Sequence, residues 1–309
     1  MGKIKVSLIT TVLNEESSIE HFLSSIAIQS QKPNEVIIVD AGSTDKTVDI
    51  IKSFQPFLKN LKILVKKGAN RSAGRNLAIK SAKNEIIVMS DAGCRLDKEW
   101  VKEISRQFVD KKIKVVAGFY LAESKTVFQK CVAPYALVMP DRVNPKNFLP
   151  SSRSMAIRKT FWKKSGGFPE NYSDNEDFVY AHILKRKKIN TFFARKAVVY
   201  WFPRKNIMQF WTMIYRFARG DAKAGLRRVK IASIFLRYVG FIFLGLLCLI
   251  FNDLLILFVL TIFCYIFWSV FKNYKYVKDL RAIFLLPFLQ LISDFAVILG
   301  SIVGGLGSG

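Results

Sequence analysis

From Ile231 onward the chain is almost wholly apolar, and that stretch sets the first limit on what can fold here. Ile231–Phe251 and Leu254–Phe271 are two greasy runs of about the length a helix needs to cross a bilayer. Only Asn252-Asp253 separates them, which reads as a tight helical hairpin. Ala282–Val303 is a third candidate span and contains Pro287 and Asp294. A carboxylate is costly at mid-bilayer, so Asp294 is expected to face protein or water.

The charge lies elsewhere. The 309 residues carry a formal net charge of +25. From Ile231 onward there are five basic and three acidic residues, so +23 of that total belongs to the first 230 residues. A mean hydropathy of +0.21 beside a pI of about 10.0 describes a membrane protein with a basic body. No recognition motif accompanies the charge, which argues against a nucleic-acid partner. A basic body is drawn to anionic headgroups, at ~1 kcal/mol per surface Lys or Arg, and attracts anionic substrates.

The segment Lys272–Arg281, between the second and third runs, is also basic. The positive-inside rule places it and the front domain together on the cytoplasmic side. The expectation is a multi-pass protein of the plasma (inner) membrane. Met1–Lys5 leads straight into the strand-like Val6-Ser7-Leu8-Ile9, without the pattern of a secretory leader. Cys94, Cys131, Cys248 and Cys264 are scattered and form neither a zinc spacing nor a disulfide framework.

Just before the first run, Phe210, Trp211, Ile214, Tyr215, Phe217 and Ala218 fall near helical spacing. Arg216, Arg219, Lys223, Arg227, Arg228 and Lys230 surround them. A basic amphipathic helix of this kind lies in the interface plane of a membrane. The predicted organisation is a front domain over 1–203, an interface helix over 204–230 and a membrane region over 231–309, with helices at 231–251, 254–271 and 282–303.

The front domain alternates strand and helix. Ile4–Thr11, Val36–Val39, Leu61–Val65 and Glu85–Met89 read as strands; the segments after Ser17 or Ser18, Thr47–Phe57 and Ser72–Ala82 read as helices. Ser43 or Thr44 is the expected cap of the second helix. This alternation implies an α/β, Rossmann-like fold with a mostly parallel sheet. Ligands of such sheets bind beyond the carboxyl ends of the strands. Asp40 and Asp91 both follow such ends and are expected to face one crevice. After Val115–Leu121 the pattern becomes irregular. Phe148–Ile157 reads as a loop feeding a strand, and Asn175-Glu176-Asp177 opens a helix running to about Lys187. Carboxylates in a first helical turn are favoured by the helix dipole, so these two also suit a cap.

These segments resemble a known family. Val6–Glu16 with Asn14-Glu15-Glu16, then Val36–Asp45, Arg71–Asn76, Ser90-Asp91-Ala92-Gly93, Gly166–Glu170 and Glu176-Asp177 are similar, in order and spacing, to the motifs of family 2 glycosyltransferases of the GT-A fold. The resemblance covers about Ile4 to Trp201. It implies a nucleotide-sugar site: Thr11 and Asp40 at the nucleoside, Arg71 and Arg75 near the diphosphate, Asp91 at the metal and ribose edge. It implies Asp177 as general base, with Glu176 as the second candidate, and Ser152, Arg153 and Gly167 on the acceptor side.

One triplet departs from the family. The DxD position reads Asp91-Ala92-Gly93, without the second carboxylate. A divalent Mg or Mn ion would then rely on phosphate and water, with Arg95 or Asp97 as candidate compensating groups. The resulting expectation is an inverting hexosyltransferase that uses a UDP-, GDP- or TDP-sugar and a lipid-linked or membrane-proximal acceptor. Two other readings remain open: a polyprenyl-phosphate glycosyltransferase, whose anionic acceptor needs no base, and a non-catalytic nucleotide-sugar-binding membrane scaffold.

Overall fold

A computed structural model of the chain describes residues 4–58, 60–189, 191–226 and 228–306. Met1, Arg227 and Gly307-Ser308-Gly309, which entered the sequence reading, lie outside the described residues.

The front of the chain alternates as its pattern predicts. In order come β1 (Val6–Val12), α1 (Ile19–Ala27), β2 (Glu35–Asp40), α2 (Thr47–Ser53), β3 (Leu61–Val65), α3 (Arg71–Ser81) and β4 (Ile86–Met89). There follow β5 (Cys94–Leu96), α4 (Trp100–Ser105), β6 (Val115–Ala122), α5 (Val127–Ala136), β7 (Met155–Arg158), α6 (Lys159–Ser165), α7 (Glu176–Arg186) and β8 (Thr191–Trp201). The strands form one mixed sheet in the order β3-β2-β1-β4-β7-β6-β8-β5.

The first four strands are parallel, as expected. Every residue of β2 is buried, which explains its continuous apolar run. The second half is mixed: β7 runs antiparallel to β4 and β6, β5 runs antiparallel to β8, and β6 pairs with β8 in parallel. α1 buries Ile19, Phe22, Leu23 and Ile26, a helical stripe facing the sheet. Ile9, Ile37, Val39, Ile87, Met89, Met155 and Ile157 form the centre of one core, capped by Trp162, Phe168 and Tyr180.

Several local expectations are corrected. α2 stops at Ser53 rather than Phe57; Pro56 disfavours helical backbone in the residue before it. Ser18 occupies the cap position of α1 but makes no side-chain cap bond; its hydroxyl goes to Glu15. Neither Ser43 nor Thr44 caps α2. Asp45 accepts from the Thr47 backbone N–H instead (3.0 Å). α5, absent from the sequence reading, starts with a reciprocal Thr126–Gln129 capping box.

The chain divides into two compact units: Met1–Glu123 with Met139–Phe202, and Ser124–Val138 with Pro203–Gly309. α5 therefore belongs to the second unit, although it lies inside the stretch read from sequence as the front domain. The second unit also holds α8 (Ile207–Lys223), α9 (Val229–Cys248), α10 (Leu254–Val277) and α11 (Ala282–Leu306). Among the described residues, α9 from Lys230, α10 and α11 are long and apolar enough to cross a membrane.

Two features of the second unit differ from the sequence reading. α10 continues to Val277, so most of the basic segment after Phe271 is helix, and the connector is only Lys278–Arg281. Of the apolar face of α8 that was expected to meet lipid, Phe210, Ile214 and Ala218 are buried, whereas Trp211, Tyr215 and Phe217 are half-buried. α11 packs against α8 through two glycines. A Cβ on Gly300 would stand 2.5 Å from the Tyr215 carbonyl oxygen, and one on Gly304 would overlap the Arg219 carbonyl. Asp294 is wholly buried and, as expected, faces protein. It accepts from Arg237 (2.5 Å), Tyr265 (2.8 Å) and Gln290 (2.7 Å), which ties α9, α10 and α11 together.

Candidate active site

The loops after β1 and β2 brace each other at the carboxyl edge of the sheet. The Asn14 side chain accepts from Thr44 N–H (2.9 Å), Glu15 N–H donates to Thr47 Oγ1 (2.7 Å) and Glu16 N–H donates to Asp45 (3.1 Å). Both sequence motifs are thus halves of one scaffold. Asp40 ends β2, opposite Val12. Its carboxylate is buried and accepts from Gly42 N–H (2.9 Å), Ser43 N–H and the Ser43 hydroxyl (2.5 Å). It closes an Asx turn in which Gly42 adopts φ +101°. Asp40 is therefore held rigidly at the strand end, with its oxygens engaged by its own loop.

Thr11, in β1, lies against α3. A Cβ on Gly74 would stand 2.6 Å from Thr11 Cγ2, so glycine is what lets this helix approach the strand. Asn70 caps α3 through Ala73 N–H (2.9 Å). The helix then presents Arg71 half-exposed and Arg75 buried.

Arg75 is the centre of the site. Its Nη1 donates to Glu176 Oε1 (2.6 Å), and its Nη2 donates to Asp91 Oδ1 (3.0 Å) and to Ser152 Oγ (2.9 Å). Arg71 adds a second, longer ion pair to Glu176 (3.9 Å). Asp91 lies just beyond β4, on the same sheet edge as Asp40. Asp177, in the first turn of α7, accepts on Oδ2 from Ser151 Oγ (2.8 Å), Ser152 N–H (3.1 Å) and Ser152 Oγ (3.2 Å). The Ser152 hydroxyl also lies 3.4 Å from Asp91 Oδ2. Residues far apart in sequence thus meet within one network.

The electrostatics follow from this packing. Burial alone would lower the basicity of Arg75, but Glu176, Asp91 and Asp177 outweigh it and hold the guanidinium charged. Burial alone would raise the Asp177 pKa; Arg75, Arg153 and the serine and backbone hydrogen bonds outweigh it and hold the carboxyl below its ordinary value. Asp177 is an anion across the neutral range.

The remaining candidates separate. Arg153 lies over the rings of Tyr120 (5.7 Å) and Trp201 (5.3 Å). Gly167 does not join the cluster. It adopts φ +74° and is packed against Asn76 and Trp162, serving the turn after α6. Asn76, which the sequence reading left without a role, holds that turn. It accepts from Phe168 N–H (2.9 Å) and Trp162 Nε1 (3.2 Å) and donates to Phe168 O and Glu170 (both 2.8 Å). Ser151 was also missed; only its place beside Ser152 marked it. Arg95 pairs with Glu123 (2.8 Å) and stacks on Tyr200 (4.2 Å). Asp97 accepts from Tyr200 OH (3.3 Å) and Glu99 N–H (3.0 Å). Among the described contacts, neither reaches Asp91.

Among the described residues, no three His, Cys, Asp or Glu side chains gather to hold a metal ion. Asp91, with a 39% exposed side chain, is a single carboxylate. That donor set suits an Mg or Mn ion carried in on a diphosphate rather than one resident in the protein.

A mixed α/β sheet whose strand-end Asp91 and helix-start Glu176 meet one buried arginine is the setting of a GT-A-like domain. The family model described as Glycosyl transferase family 2 matches residues 7–161, half of the chain. The chain belongs to glycosyltransferase family 2, and its domain is that of a glycosyltransferase. It is similar to the O-antigen chain rhamnosyltransferase RfbN of Salmonella typhimurium, 25% identical over 222 residues, covering 63% of this chain and 66% of RfbN.

Two solved structures share the fold. One is Staphylococcus aureus TarS residues 1–349 in complex with UDP-GlcNAc (TM-score 0.53, 20% identity, 70% of this chain and 66% of that chain). The other is the mannosyltransferase PcManGT of Pyrobaculum calidifontis in complex with GDP-Man and Mn2+ (TM-score 0.59, 16% identity, 100% of this chain and 76% of that chain). The chain spans 18%, 60% and 66% of the length of three curated relatives it matches.

Proposed function

We propose that this chain is a membrane-anchored, inverting glycosyltransferase. It moves a sugar from a UDP-, GDP- or TDP-sugar to a hydroxyl of a lipid-linked or membrane-proximal glycan at the cytoplasmic face of the plasma (inner) membrane. The observation that carries this reading is the joining of Asp91 and Asp177 through the Ser152 hydroxyl. A donor-side and an acceptor-side carboxylate stand one residue apart, beside a buried guanidinium. The nucleotide sugars held by the two structural neighbours and the transferase names of the relatives support a nucleotide-sugar donor.

In this reading Thr11 and Asp40 border the nucleoside, and Arg71 and Arg75 lie near the diphosphate. Asp177 takes the proton of the acceptor hydroxyl as its oxygen attacks the anomeric carbon from the face opposite the nucleotide. The bond from that carbon to the diphosphate breaks, and the nucleoside diphosphate leaves with the electron pair. One displacement inverts the configuration. Glu176 acts through Arg75 and keeps it in place. Asp91 would hold a divalent cation that, when bound, neutralises the departing charge.

The test uses membranes containing the whole chain and a panel of radiolabelled UDP-, GDP- and TDP-sugars, with label followed into a butanol-extractable fraction. Asp177→Asn is expected to lose about 10²–10⁴ in rate, and excess EDTA to abolish turnover. Transfer that survives Asp177→Asn points to a lipid-phosphate acceptor. Binding of nucleotide sugars without transfer from any of them points to a scaffold.

A further inference from the structure

We infer that Ser152 is a positioning residue that couples occupation of Asp91 to the state of Asp177. The inference rests on the reading of Asp177 as the base. Sequence reasoning placed Ser152 at the acceptor, yet the residue is only 2% exposed. Its hydroxyl sits among three groups: it accepts from Arg75 Nη2 (2.9 Å), lies 3.2 Å from Asp177 Oδ2 and 3.4 Å from Asp91 Oδ2.

A serine hydroxyl has one proton to donate. Two carboxylates compete for it, one beyond β4 and the other at the start of α7. The hydroxyl oxygen accepts from Arg75 Nη2, which also donates to Asp91 Oδ1. A ribose hydroxyl of the donor that hydrogen-bonds to Asp91 occupies that carboxylate and removes one competitor, and the serine proton is then committed to Asp177. The base is fixed in orientation when the donor side is filled and shares its hydrogen bond when it is not. Ser151, which donates to Asp177 (2.8 Å) without reaching Asp91 in the described contacts, anchors the base in both states.

The experiment is a double-mutant cycle on the full chain in membranes, with the nucleotide sugar that the panel above turns over. Ser152→Ala is expected to lower kcat about 10- to 100-fold. Its KM for that nucleotide sugar, and its affinity for UDP, GDP or TDP by calorimetry, should stay within about threefold. Asp91→Asn combined with Ser152→Ala is expected to lose clearly less in kcat than the product of the two single losses, because both act on one proton.

Strictly multiplicative losses, an unchanged kcat in Ser152→Ala, or a loss carried by KM and nucleotide affinity overturns the coupling. Asp177→Asn separates the two readings. If it retains full activity, the base assignment falls. If it is inactive while the cycle is multiplicative, only the Ser152 inference falls. A protein that turns over none of the nucleotide sugars removes both.

Discussion

Asp177 shows how a single residue's chemistry is set by its neighbours. Burial disfavours its charge, but Arg75, Arg153 and the Ser151 and Ser152 donors reverse the balance and depress its pKa. A carboxylate base with a depressed pKa is functional above that value and is lost only as pH falls through it. The acid limb of kcat/KM should therefore lie below the ordinary aspartate range, leaving activity level from about pH 8 to about pH 5. Arg153→Ala, which removes one of the two cations, should move that limb upward. An acid limb near neutrality in the parent protein would contradict the assignment.

Arg75 carries the larger stability effect. It is buried against Glu176, also buried, and Asp91. Arg75→Met leaves a buried carboxylate without its main partner and should cost about 3–5 kcal/mol in unfolding free energy, read as a fall in Tm. The roles of these two residues were legible to different degrees. The motif positions flagged both, but nothing in their spacing says that Arg75 would be shared among Glu176, Asp91 and Ser152. That sharing requires α3, β4, the loop before β7 and the start of α7 to converge, which local sequence does not encode.

At the scale of elements, the strands and helices from β1 to β4 are readable because their apolar periods are strong, while β5, α4, α6 and β8 are not. β1, β2 and β4 are short β-branched runs buried on the sheet, and α1 has a clear apolar stripe. The errors fall where local chemistry competes. Pro56 shortens α2, whose cap position falls on Lys46 without a side-chain cap bond, while Asp45 accepts from Thr47 N–H. α5 was overlooked although Thr126-x-x-Gln129 is a capping-box spacing.

α8 is the instructive case. An apolar face beside basic residues fits a lipid interface and a protein groove equally well, and only its partner distinguishes them. That partner is α11, and the two glycines set the approach. Gly304→Leu forces a side chain into the Arg219 carbonyl of α8. It should destabilise the detergent-solubilised protein by about 1–3 kcal/mol, measured as a lower melting temperature, whereas Gly305→Ala, where a Cβ meets nothing within 4 Å, should leave it unchanged.

At the scale of the whole molecule, the three long apolar helices point to association with a membrane. The expected topology places Asn252-Asp253 outside and Lys278–Arg281 inside. In a variant whose native cysteines are replaced, Asn252→Cys should react with an impermeant maleimide on intact cells, and Lys278→Cys should react only after lysis. The reverse pattern would invert the orientation.

The order of strands and helices from β1 to β4, the two strand-end aspartates and the apolar runs follow from the sequence alone. Each depends on interactions between residues near one another in the chain, or on the solvent that a long apolar run requires. The tertiary structure alone decided the antiparallel half of the sheet, the assignment of α5 to the second unit, the partner of α8 and the meeting of Arg75, Asp91, Ser152 and Asp177. Those outcomes turn on which distant surfaces fit and which buried charges find partners. Such long-range pairings carry no periodic signature in the chain.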